Sequence, residues 1–205
     1  MIKTTFLNLN ETKRNAIISA AKKEFASKSL HEASINQIIK DAEIARGSFY
    51  NYFDDINDIY FYILDNFRNK MDVVMEKSLI KSNGNIFTTF IDMFDFIVEF
   101  TKDEENKSIL KNFFLNMSHT NKNYLLEKPD LNKMHERINS IKGLINIKIL
   151  KISDPKELMV VIEILFETLI NTVMQYFMSN TEINHARNQL IKKIEIIKYG
   201  AYKEE

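Results

Sequence analysis

SINQIIKDAEIARGSFYNYF, residues 34–53, is the stretch whose reading decides the fold. Ser34 stands before an apolar-periodic run, and Gln37 follows at the third position after it. That spacing predicts a capping box, in which the Ser34 hydroxyl accepts from the Gln37 amide and the Gln37 side chain reaches back to Ser34. Ile35, Ile38, Ile39 and Ala42 recur at helical spacing and predict a short helix with one apolar face. Glu43 and Ile44 form a tight connection. A second short helix is predicted from about Arg46 to Tyr52, anchored by Phe49 and Phe53.

Helices this short must be held by their neighbours. Between the anchors of the second helix lie Arg46, Gly47, Ser48, Tyr50, Asn51 and Tyr52. They offer a cation, hydroxyls, an amide and a glycine that permits close backbone approach, which is the equipment for phosphate and base-edge contacts. The pattern is a helix-turn-helix. Together with Ser34, these residues are the candidate DNA-binding set. Arg46 is the candidate base reader, and Ser34, Ser48, Tyr50 and Tyr52 are candidate phosphate or groove contacts.

On the N-terminal side, residues 1–9 are expected to fray, and Asn10 to cap a helix over about 11–28. Ala16, Ile17, Ala20, Ala21 and Phe25 trace its inner side, with Glu24 a polar exception at the edge. Lys13, Arg14, Lys22, Lys23 and Lys28 read as a solvated face.

These residues resemble the DNA-binding domain of TetR-like (tetracycline-repressor-like) transcriptional regulators. The family pattern has a paired Ala and a Phe in an apolar helix, a Ser/Thr opening the next helix, and then a fixed run into the recognition helix. Here it is carried by Ala20, Ala21, Phe25, Ser34 and Ala42-Glu43-Ile44-Ala45-Arg46-Gly47-Ser48-Phe49-Tyr50-Asn51-Tyr52-Phe53. Four positions depart from it. Ser29 and Glu43 stand where the family has Gly, Ala45 replaces the capping Ser/Thr, and Ile56 replaces a phosphate-facing Lys.

The resemblance, with the helical periodicity, implies an all-α fold of about nine helices. An N-terminal three-helix helix-turn-helix DNA-binding domain would span 1–53. A larger helical effector-binding and dimerisation domain would span 54–205, with a helix at about 55–81 linking the two. The implied activity is that of a ligand-responsive repressor binding a palindromic double-stranded DNA operator as a homodimer. An alternative left open by Ala45, Ile56 and the early acidic residues Asp54, Asp55 and Asp58 is a helical small-molecule-binding protein with weakened or lost DNA binding.

Further along, Tyr60, Ile63, Leu64, Phe67, Met71, Val74 and Met75 repeat at three and four, extending an amphipathic helix to about Lys81. Lys81-Ser82-Asn83-Gly84-Asn85 is the clearest break. Helices are then predicted over about 86–101, 107–118 and 131–151, with a charged turn at Lys102–Asn106 and an irregular stretch from His119 to Asp130. Asp154-Pro155-Lys156-Glu157 is a strong helix start, with cap, Pro and Glu in order. The helices predicted at about 155–178 and 182–203 are the expected homodimer surface, in which two copies form a four-helix bundle, the alternative being that they bury each other inside one chain.

Composition narrows the function classes. With 45% hydrophobic and 27% charged residues, the chain reads as an ordinary globular protein, and four Gly with two Pro suit long helices rather than tight-turned sheets. The absence of Cys excludes disulfides, thiolate metal sites and Cys nucleophiles. The most apolar run, Leu158 to Phe166, is short and interrupted by Glu163, so no membrane span is expected and a cytoplasmic protein is the plain reading. Net charge is zero, yet residues 1–53 carry eight Lys/Arg against five Asp/Glu, so a modestly basic head stands on a modestly acidic body. His31, His119, His135 and His185 are scattered, there is no Gly-rich phosphate loop, and neither an enzyme nor a metal or cofactor site is expected.

The resemblance also raises the expectation of a pocket for a small apolar or aromatic effector. Its candidate lining is Phe67, Met71, Phe90, Phe94, Phe113, Met117, Phe166, Asn171 and Met174, with Tyr62, Asn112, Asn116 and Glu167 as further polar candidates. For each apolar member, ordinary core is the competing reading.

Overall fold

The computed structural model describes residues 2–117, 141–154, 156–179 and 182–201. Among these residues there are nine α-helices and no strand. They are α1 (Thr4–Leu7), α2 (Glu11–Ser27), α3 (Ile35–Asp41), α4 (Arg46–Tyr52), α5 (Ile56–Lys81), α6 (Ile86–Phe100), α7 (Glu104–Met117), α8 (Glu157–Ser179) and α9 (Ile183–Tyr199). The described residues divide into two compact units. One comprises 2–70 and 100–117, and the other comprises 71–99 and those from 141 onward.

The first unit is built on α2, which packs against α3 and α7. The Asn10 side chain caps α2 by accepting from the Lys13 amide at 2.9 Å. Ile17, Ala21 and Phe25 on α2, Ile38 on α3, Phe49 on α4 and Ile59 on α5 are fully buried and form the core. Tyr60 adds its ring edge-on to Phe25 at 4.9 Å, and burial pushes its phenol above the usual tyrosine range. Asn112 on α7 donates from Nδ2 to the Phe25 carbonyl at 3.0 Å, and at longer range to those of Ala26 and Lys28. It thereby satisfies the last turn of α2, where helix carbonyls lack internal partners. Asn112, one of the polar effector candidates, thus stands at the C-terminal end of α2.

The second unit holds the remainder of α5 together with α6, α8 and α9. Phe90, Phe94, Leu158, Leu165, Val173 and Leu190 are among its most buried side chains. The break after α5 depends on Gly84, whose φ of +80 is in the left-handed region. Its amide closes the end of α5 on the Leu79 carbonyl at 2.7 Å, and its own carbonyl accepts from the Asn146 amide at 3.0 Å. Asn85 then caps α6 through the amides of Phe87 and Thr88. At the head of α8, Glu157 accepts from the Ser153 amide at 2.6 Å and Asp154 from the Lys156 amide at 2.8 Å, so the predicted acidic cap forms. Arg187 on α9 makes a two-pronged ion pair with Asp95 on α6 at 2.7 and 2.9 Å.

Four expectations are corrected. Residues 1–9 do not fray throughout, because α1 is helical and Phe6 is fully buried against Tyr52, Phe53 and Tyr62. Helix α7 begins at Glu104 rather than near 107, since Asp103 caps it by accepting from the Asn106 amide at 2.8 Å. The helix expected over 131–151 is not continuous to its end, although its residues up to 140 lie outside the described ones. Ile141 and Lys142 are helical, Gly143 and Leu144 turn, and Ile147–Ile149 is a single 3-10 turn. The predicted irregular stretch from His119 to Asp130 also lies outside the described residues.

The fourth correction concerns the capping box at Ser34, which does not form. The Ser34 amide donates instead to Oε1 of Glu24 at 2.8 Å, and the Gln37 side chain donates to Asp41 at 2.7 Å. Glu24 is not at an edge. It is 4% exposed, and its Oε1 also accepts from Lys28 Nζ at 2.9 Å. A buried charged acceptor is a stronger partner for the Ser34 amide than a neutral local amide side chain.

Candidate nucleic-acid interface

Helices α3 and α4 are joined by a tight turn through Glu43, whose φ of +51 puts a non-glycine residue in the left-handed region. The turn is closed by the Ile44 amide on the Ile39 carbonyl at 3.0 Å. It leads into α4 through Ala45, which carries no side-chain cap. Phe49 anchors α4 from within and is fully buried, and Phe53 continues that anchor at a ring separation of 5.0 Å. With this inner face fixed, Arg46, Gly47, Tyr50 and Asn51 are exposed and Ser48 is half-buried.

The exposed face is already ordered. Arg46 donates from Nη1 to Asn36 Oδ1 on α3 at 2.6 Å, and its other terminal nitrogen lies 3.4 Å from the Tyr50 hydroxyl. Its guanidinium also sits 5.8 Å from the centre of the Tyr50 ring. A cation that shares its donors with an amide and a phenol is held at a defined angle, and it still has donors free for a base edge or phosphate. Asn36 is a residue that sequence reasoning missed, although it follows Ile35 on the exposed side of α3. Gly47 has nothing within 4 Å of where a Cβ would stand, so its backbone is open to approach.

Two candidates sit differently from the rest. Tyr52 is only 8% exposed and its ring packs on Phe6, so most of that side chain belongs to the core rather than the exposed face. Ser34 is half-buried, with its amide committed to Glu24. The early carboxylates are largely engaged as well. Asp55 caps α5 by accepting from the Asn57 and Asp58 amides at 2.8 and 3.2 Å, and Asp58 accepts from the Asp54 amide at 2.7 Å. The Lys3 ammonium, 2.8 Å from Asp54, holds that carboxyl below the usual range.

The nine effector candidates stand in different surroundings among the described residues. A shallow cleft of about 60 Å³ in the first unit is lined in part by Lys22, Ile63, Phe67, Phe100 and Leu110, so Phe67 alone of the nine faces it. Small-molecule sites usually enclose several hundred Å³. Phe90 and Phe94 are buried core, and Phe166 meets Phe90 edge-on at 5.0 Å. Phe113 packs on Phe114, Met71 and Met174 are half-buried, and Asn171 is exposed. The Met117 side chain lies outside the described residues.

Comparison with known proteins bears on this arrangement. The family model described as "Tetracyclin repressor-like, C-terminal domain" matches residues 85–201, which is more than half of the chain. The chain belongs to the TetR family. A second model, "Bacterial regulatory proteins, tetR family", matches residues 17–63, the span that holds α3, the turn and α4.

Relatives of this TetR-family chain include the HTH-type transcriptional regulator HbdR of Aromatoleum sp. (strain CIB). The two are 41% identical over 58 residues, 28% of this chain and 25% of that protein. Another is the uncharacterized HTH-type transcriptional regulator YdgC of Bacillus subtilis (strain 168), 26% identical over 111 residues, 50% of this chain and 54% of the relative. The matches thus span from a quarter to about half the length of these relatives. Among solved structures, a TetR family transcriptional regulator from Chloroflexus aurantiacus J-10-FL superposes with a TM-score of 0.52 at 18% identity, covering 98% of each chain. A TetR transcriptional regulator from Rhodococcus sp. RHA1 gives 0.54 at 11% identity, covering 94% of this chain and all of the other. At such identities the likeness establishes the TetR fold.

Proposed function

We propose that this TetR-family protein binds a palindromic DNA operator as a homodimer and represses transcription until a small effector releases it. The observation that carries the reading is the outward face of α4, where Arg46, Gly47, Tyr50 and Asn51 are exposed on a helix fixed from behind by Phe49. In this reading residues 1–53 are the DNA-binding domain and 54–205 the effector-binding and dimerisation domain. Arg46 reads a base edge, Tyr50, Ser48 and Asn51 contact the groove or phosphates, and the Gly47 backbone approaches closely. Ser34 and Tyr52 contribute at most through their polar ends, since their remaining surface is covered. A dimer would set two such helices in successive major grooves about 34 Å apart.

Dimerisation is assigned to about 155–203. In support, Val160, Ile164 and Met178 fall on one side of α8 and are 52%, 42% and 67% exposed, while Ile196 and Tyr199 on α9 are 56% and 72% exposed. Apolar side chains so placed favour cover by a second copy. The effector is proposed to be small and apolar or aromatic. Its release of DNA would be limited by its differential affinity for the two arrangements of the dimer. No described helix is long and apolar enough to cross a membrane, and a cytoplasmic regulator fits the proposal.

The test is selection of DNA from a random duplex pool with the purified protein and with Tyr50→Ala, at low and moderate salt. An enriched palindrome with half-sites about one helical turn apart, lost in the variant, is the expected result. No enrichment, or salt-sensitive binding indifferent to Tyr50, overturns it and favours a helical small-molecule binder.

A further inference from the structure

The last carbonyls of a helix have no partner within it, and in a seven-residue helix such as α4 they are a large share of the whole. The Phe49 carbonyl is taken by the Phe53 amide at 2.9 Å. The next three are taken by residues nearly fifty positions earlier in the chain. Lys3 Nζ donates to the Tyr50 carbonyl at 2.7 Å, the Thr5 hydroxyl donates to the Asn51 carbonyl, and the Lys3 amide donates to the Tyr52 carbonyl at 3.0 Å. The same ammonium pairs with Asp54 just beyond the helix at 2.8 Å. Phe6 completes the attachment. It is fully buried, with ring centres 4.7 Å from Phe53 and 5.5 Å from Tyr62.

We propose that residues Lys3–Phe6 are a strut that fixes the angle of α4, and that Lys3 and Thr5 are positioning residues for its contacts with DNA. This rests on the function proposed above. The three bonded carbonyls belong to Tyr50, Asn51 and Tyr52, so the strut grips the part of the helix that carries candidate contacts. An ammonium at a helix C-terminus also opposes the partial negative charge there. Helix α4 lacks an N-terminal side-chain cap at Ala45 and has few bonds of its own, which leaves its orientation dependent on what holds the other end. Chemical change or loss of residues 3–6 would loosen the reading head while leaving α2, α8 and α9 folded.

The test compares three full-length proteins: wild type, the double variant Lys3→Met/Thr5→Val, and the conservative double Lys3→Arg/Thr5→Ser. The first readout is amide hydrogen exchange without DNA, and the second is affinity for the DNA selected by the wild type. Two lost hydrogen bonds of ordinary net strength correspond to roughly thirtyfold in each readout. Exchange across 49–53 is expected to accelerate by that factor in Lys3→Met/Thr5→Val, with exchange in α2 and α8 unchanged. Affinity should fall in parallel, and the conservative pair should restore both.

Unchanged exchange in α4 overturns the strut. Faster exchange with affinity and half-site preference unaltered reduces it to a structural attachment and overturns the positioning role. If the wild type selects no DNA, the proposed function fails on its own account, and the exchange comparison still upholds or overturns the strut.

Discussion

Glu24→Ala removes the acceptor that joins α2 to the start of α3. The carboxylate is 4% exposed and serves two donors, the Ser34 amide at 2.8 Å and Lys28 Nζ at 2.9 Å. A backbone amide bonded to a charged group contributes about 1.5–3 kcal/mol. The Lys28 side chain is 43% exposed, so its ion pair is screened by solvent and adds at most about 1 kcal/mol. The expected loss for Glu24→Ala is therefore about 2–4 kcal/mol. Glu24→Gln keeps an oxygen for the amide and gives up only the charge, a loss of about 1 kcal/mol. Lys28→Met should lose less than about 1 kcal/mol.

For a chain of this size, each kcal/mol moves the thermal midpoint by about 2–4 °C, so the alanine variant should melt about 2–12 °C below the glutamine one. Urea and thermal unfolding followed by far-UV circular dichroism measure all three. Equal destabilisation by Ala and Gln, or a Lys28→Met loss as large as that of Glu24→Ala, would refute the assignment of the amide as the principal partner.

Gly84→Ala should destabilise by about 2 kcal/mol or more. Its φ is +80, and the new Cβ would meet the Asn146 nitrogen at 2.4 Å and the Leu144 carbonyl oxygen at 2.6 Å, so a urea midpoint near wild type would sink this account. Gly47→Ala meets no atom within 4 Å and should raise helix stability by about 0.5–1 kcal/mol, while DNA binding weakens because the Cβ stands where the backbone would approach phosphate. Parallel melting and gel-shift measurements separate those two effects. Ala45→Ser supplies the missing cap of α4 and should add about 0.5–1 kcal/mol, read as a higher thermal midpoint.

The elements legible in the sequence are those built from neighbours. Asn10 and Lys13 are three positions apart, and Asp154 and Glu157 likewise, so both caps follow from spacing. The apolar periodicity through Ile38, Phe49 and Phe53 located the two short helices, because a buried stripe must repeat with the helical turn. The run from Ala42 to Phe53 was specific enough to indicate the family, which the match over residues 85–201 establishes. The exposed outer face of α4 follows from the same reasoning, since fixing Phe49 inward turns Arg46 and Tyr50 outward.

Tertiary structure alone decided what satisfies the polar groups at the start of α3 and at the ends of α2 and α4. The spacing of Ser34 and Gln37 permits a capping box, but Glu24 is ten positions away and buried, and its charge wins the Ser34 amide. Asn112 closes the end of α2 from 87 positions away, and Thr5 closes the end of α4 from 46. A polar group left bare at a helix end takes the strongest partner that folding brings within reach, and local spacing does not say which partner that is. Thus the sequence by itself determined the helix-turn-helix, the long helices around it and the outward face of α4, while the short α1 and the broken end of the segment before Leu150 emerged only with the packed structure. The attachments of α4 and α2 to distant residues exist only because the packed core delivers those residues to the open helix ends.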